Sequence, residues 1–155
     1  MTEQAELQAP SLPRRLIAMT YDLLLVIAVV AVVNALALGI QVKVLGSAQH
    51  ELHPQLAQFF TVASIFGFFT LFWAKQGQTL GMQAWRIKLV DGNGHNPPAA
   101  RCVLRCSAAI LSAACLGLGY FWCLIDRRKR YWHDHLSGTE LVLLPRDSGD
   151  RGAGA

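Results

Sequence analysis

Three apolar blocks separated by short polar segments constrain this chain more than any other feature. Apolar residues gathered in blocks, instead of recurring every three to four positions, make helices that are greasy on all sides. The first block runs from about Leu16 to Val42 around the unbroken stretch Leu23 to Val33, the second from about Leu56 to Ala74, and the third from Cys102 to Ile125. About twenty residues suffice to cross a bilayer. The first two blocks are therefore expected as full transmembrane helices, the first with length to spare for tilt or protrusion. With 53% hydrophobic and 15% charged residues, against roughly 25% charged in a soluble domain, the chain is short of solubilising surface.

The net charge of +4 raises the question of a nucleic-acid partner, and the placement of the cations answers it. Arg14 and Arg15 precede the first block, Lys75 follows the second, and Arg127, Arg128, Lys129 and Arg130 follow the third. Cations at the ends of apolar blocks anchor helices at headgroups, so the expected partner is the lipid bilayer and no nucleic acid. The positive-inside rule puts the N-terminus, the Lys75 to Arg101 segment and the C-terminus in the cytoplasm of a bacterial inner-membrane protein. The first block exceeds a signal-peptide core and is expected to stay in the mature protein.

Between the second and third blocks the pattern changes. Trp85 to Val90 alternates ahead of the turn Asp91-Gly92-Asn93-Gly94, and Thr139 to Leu144 precedes Pro145; both read as short strands. Neither is stable alone, and they can pair only on one side of the membrane. A third full span would separate them. The third block is long enough to be a span, but pairing and charge favour a helical hairpin or re-entrant element bent near Gly117 to Gly119. The expected fold is thus an α-helical membrane protein: two transmembrane helices, a third apolar hairpin or span, and a short cytoplasmic two-stranded β element. Residues 1–13 are expected as a disordered or interfacial arm, 14–145 as the membrane domain, and 146–155 as a disordered tail.

Asp22 is the most informative side chain, because a carboxylate seven positions into an apolar span costs several kcal/mol unless paired, hydrated or neutral. Arg15 shares its helix face but lies about 10 Å away along the axis. Arg105, in the third block, is the expected partner. Such a pair serves either as an interhelical strut or as a proton or cation site. Farther on, His133, Asp134 and His135 read as an interfacial helix end beside Tyr131 and Trp132 at headgroup depth, not as a metal cluster. Cys102, Cys106, Cys115 and Cys123 lack ligand spacing and read as packing residues. His50-Glu51-Leu52-His53 misses the zincin spacing, and the glycines form no nucleotide loop. No cofactor, metal or catalytic constellation is expected, and an enzyme is disfavoured.

Three motifs in order resemble the RDD family of membrane proteins, named for one arginine and two aspartates. They are Arg14-Arg15-Leu16-Ile17-Ala18-Met19-Thr20-Tyr21-Asp22, Gly77-Gln78-Thr79-Leu80-Gly81 with Ile87 to Gly94, and His133-Asp134-His135-Leu136-Ser137-Gly138-Thr139. The resemblance covers most of the chain and implies that the named arginine is Arg15, with Arg14 the alternative, and the aspartates Asp22 and Asp134. His135 departs from the polar or basic residue expected there. The resemblance implies a transport role, including cation/proton exchange. A small transporter or transporter subunit would place the ion at Asp22, tune it by Arg15 or Arg105, and set Asp134 at the cytoplasmic mouth. Two spans enclose no pathway, so this reading requires a homo-oligomer or a larger membrane partner, met through Thr61, Ser64, Gly67 and Thr70. The alternative is a non-transporting accessory or scaffold protein in which the same charges serve folding and the cytoplasmic strands and basic run recruit a partner or anionic lipid.

Overall fold

A computed structural model describes residues 8–46, 51–115, 122, 126 and 130–145. In chain order the elements are helices α1 (Leu12–Leu45), α2 (Pro54–Gln76) and α3 (Leu80–Ala84), strand β1 (Ile87–Asp91), helices α4 (Ala99–Ala114) and α5 (Trp132–Ser137), and strand β2 (Thr139–Leu143). Two of them, Leu12–Val44 and Pro54–Gln76, are long and apolar enough to cross a membrane, and they suggest a membrane location. Leu23, Leu24, Ile27, Leu36 and Ile40 point outward from α1, as lipid-facing residues do.

Both long helices start and stop for local reasons. Pro13 and Pro54 sit in first turns, where a missing N–H costs nothing. Each helix ends on a left-handed glycine: Gly46 donates to Val42 O at 3.2 Å and Gly77 to Trp73 O at 2.9 Å. Between the helices, Asn34 Nδ2 donates to Thr61 Oγ1 at 3.2 Å. That bond uses one residue of the small-residue stripe of α2. Another, Gly67, faces open space: a Cβ there would meet nothing within 4 Å.

β1 and β2 pair antiparallel, from Ile87 opposite Leu143 to Asp91 opposite Thr139. The expected strand at Trp85 starts two residues late because Trp85 closes α3 and Arg86 turns through φ 55°. A two-stranded ribbon is marginal in water. Here its outer edges are held: Leu143 N donates to Gln8 O at 2.9 Å, and Leu89 N to Gly77 O at 2.7 Å. Ala18, Met82, Ile87 and Leu89 form a small core beneath it, with Trp73, Trp85 and Leu141 packed around. The sheet, the start of α1 and the end of α2 therefore share one end of the molecule.

From Gln8 onward the N-terminal segment is tied to the sheet: Gln8 O accepts from Leu143 N, Pro10 is buried and α1 begins at Leu12. In the middle motif, Thr79 caps the short helix α3 by accepting from Met82 N at 3.3 Å. The third apolar block gives α4 as far as Ala114. The expected bend at Gly117 to Gly119, Cys123 and the tail 146–155 lie outside the described residues.

Candidate functional site

The four charged residues singled out in the sequence, Arg15, Asp22, Arg105 and Asp134, are all buried at the sheet end of the molecule. They do not pair as expected. Asp22 accepts from Gly81 N at 2.9 Å and from Thr79 Oγ1 at 2.5 Å, so α1 offers a carboxylate to the opening of α3. N–H groups at a helix start lack intrahelical partners and carry positive partial charge, which makes them good donors for a carboxylate. The approach is close: a Cβ on Gly81 would lie 2.3 Å from Ala18 O and 2.8 Å from Asp22 Oδ1.

Arg105 turns away from Asp22 to Asp134. Its Nη1 donates to Asp134 Oδ1 and, at 2.8 Å, to Thr139 Oγ1. The exposures of 3% for Arg105 and 1% for Asp134 make this a buried pair, whose partners depend on each other for neutralisation. The other Asp134 oxygen accepts from Tyr131 N at 2.8 Å and caps α5. Ser137 Oγ lies 2.8 Å from Thr139 Oγ1 and donates to His133 O at 2.6 Å. Asp134 is thus an interior strut joining α4, α5 and β2, not a residue at an open mouth.

Arg15 closes the arrangement from the N-terminal side. Its Nε donates to Pro10 O at 2.9 Å and its guanidinium lies 4.9 Å from the centre of the Tyr131 ring. Tyr131 is buried between Arg15 and a stacked His133, the Tyr131 and His133 ring centroids being 5.0 Å apart. Trp73, near the end of α2, joins the two halves. Its Nε1 contacts Met82 Sδ at 3.4 Å while Arg105 lies 5.2 Å from its ring centre. One continuous set of contacts therefore binds both long helices, α3, α4, α5 and the sheet.

His133 is held neutral. Burial first, then the cations Arg105 and Arg15, push its imidazole down to about 3, against a smaller upward pull from Asp134. Between that value and the ordinary 6.5 the unfolded chain binds a proton that the folded chain refuses. Stability from this residue is therefore complete above pH 6.5 and falls progressively as pH drops toward 3. Melting in detergent from pH 7.5 to 4.5 should show the loss. In His133→Phe, which keeps the stack on Tyr131, the fall should be shallower.

Among the described residues, no three His, Cys, Asp or Glu side chains converge as a metal site would need. Cys102 and Cys106 are buried free thiols beside Arg105, and Cys115 is exposed. His53 precedes α2 instead of lying on a helix with Glu51, which removes the geometry a zincin needs. Sequence reasoning missed the donors to Asp22, because it sought a cation where a hydroxyl and a peptide N–H serve. The spacing Thr79-Leu80-Gly81, a capping residue followed by a glycine, was the available signal.

A family model described as the RDD family matches residues 9–138. The match spans α1 through α5 and includes every residue of the buried network up to Ser137. No curated protein and no solved structure matches the chain.

Proposed function

The chain belongs to the RDD family, and from the way its charges are used we propose that it is a membrane accessory or scaffold protein that moves no ion through Asp22. The observation that carries this reading is that every candidate charge is held by groups of its own chain. Both oxygens of Asp22 accept bonds from α3, and Asp134 is neutralised by Arg105. An ion site needs a carboxylate whose bonds can be exchanged. Here that exchange would release α3 from α1.

In this reading the two long helices anchor the protein in a bacterial inner membrane, with the N-terminus and the sheet in the cytoplasm. Exposed Lys75, Arg86 and Arg101 around the sheet, with the basic run Arg127 to Arg130, suit recruitment of an acidic partner or anionic lipid. Because the strands pair, the chain between them crosses the membrane an even number of times. No nucleic-acid, cofactor or catalytic role is proposed.

A transporter subunit is the second reading, and one observation favours it. Asn34 Oδ1 and Thr70 Oγ1, on the two long helices, are buried without a hydrogen-bond partner among the described residues. Polar atoms left so within a bilayer mark pathways or helix contacts, and a homo-oligomer or larger partner would supply the missing groups. Asp22→Asn separates the readings. Its amide nitrogen cannot accept from Thr79, so the accessory reading expects a loss of about 1–3 kcal/mol in unfolding free energy. A variant as stable as the parent that has lost a transport activity of the parent would support the second reading instead.

A further inference from the structure

We infer that α4 enters only one leaflet of the bilayer, beside α2, and lays Val103, Leu104, Ile110 and Leu111 against the acyl chains of the leaflet next to the sheet. The inference rests on the membrane placement proposed above and adds a lipid-contact surface to it.

Asp91 and Thr139 are register partners, so the chain between them leaves and returns on the same side. α4 starts at Ala99 and α5 at Trp132, and the chain between those points is shorter than the roughly 40 residues that two helical crossings take. A non-helical crossing would leave peptide groups unbonded in lipid. An odd number of crossings is excluded by pairing and two by length, which leaves none.

Arg105 is held at the sheet end by Asp134 and Thr139, and it stacks on Trp73 near the end of α2. From Arg105 to Ala114, the end of α4, the helix rises about 14 Å, roughly half of a 30 Å hydrocarbon layer.

α4 is amphipathic in the sense opposite to a water-facing helix: Arg105, Ser112 and the thiols of Cys102 and Cys106 point inward, while Val103, Leu104, Ile110 and Leu111 point out. Even the exposed Ser107 turns its hydroxyl back onto Val103 O at 3.1 Å, as hydroxyls do where no water is available. A neighbouring span, α2, supports the face and itself presents Leu71 outward. Acyl chains are the partner that fits.

The test uses full-length protein in phosphatidylethanolamine/phosphatidylglycerol vesicles, with a fluorophore on Leu104→Cys or Leu111→Cys and the four native cysteines replaced by alanine. Quenching by lipids brominated at known depths should place the label at 111 about 10 Å deeper than that at 104. A water-soluble quencher on either side should reach neither. Should the cysteine-free background fail to fold, peptide tags at the two ends of the native chain give a second readout, expected on the same side. Tags on opposite sides, or a label at 111 open to water, would overturn the inference. Carbonate extraction keeps the two levels apart: protein released by carbonate contradicts membrane placement itself, whereas retained protein with either adverse result contradicts only the one-leaflet α4.

Discussion

Arg105→Ala is expected to lower the unfolding free energy by about 3–5 kcal/mol, enough to abolish folding of a marginally stable domain. The cost comes from Asp134 left behind. Its carboxylate is almost wholly buried between α5 and β2, and with Arg105 gone the hydrogen bond left to it among the described residues is the one from Tyr131 N. Thr139 Oγ1 and the face of Trp73 lose the same guanidinium. Asp134→Ala should cost a similar amount, because it strands Arg105 and uncaps α5. The double change Arg105→Met with Asp134→Leu should recover a large part of the loss, since no unpaired charge is left in the interior. Thermal or denaturant unfolding of purified protein in detergent measures all three variants. If the two single changes are each worth under about 1 kcal/mol, the pair contributes no more than an exposed one.

Gly81→Ala is the second large effect, expected at about 2 kcal/mol or more. The added methyl would lie 2.3 Å from Ala18 O, a backbone atom of α1 that cannot swing aside, and 2.8 Å from Asp22 Oδ1. α3 must then move away from α1. The N–H of Gly81 leaves Asp22 as it does, and the cap by Thr79 is pulled out of line with it. Gly67→Ala provides the contrast. Nothing lies within 4 Å of the added carbon, and alanine is the better helix former, so that change should be neutral or slightly stabilising. Equal effects at the two positions would mean that the α1–α3 contact is not tight.

The long helices were legible in the sequence because a bilayer demands a run of apolar length, and composition reports that directly. Strand pairing was legible too, from alternation at Ile87 and Thr139 with a Gly/Asn turn between the blocks. The named charges were legible as buried, but their partners were not. Asp22 was assigned to Arg105 because both lie in apolar blocks, and charge alone suggests attraction. What decides the matter is where the chain ends α2: the left-handed Gly77 swings Thr79 and Gly81 back under α1 before α4 begins. Arg105 is then level with α5, and Asp134 is the carboxylate within reach. Likewise nothing near Tyr131 in the sequence announces that the cation of Arg15 and the ring of His133 enclose it. Local sequence carries no record of such long-range juxtaposition.

The central claim, that these charges build the molecule and do not carry ions, is tested most directly by ion flux. Purified protein in liposomes should move H⁺, Na⁺, K⁺ and Li⁺ no faster than empty vesicles do. Flux above that background which folded Asp22→Asn abolishes would contradict the claim and place Asp22 in a transport path.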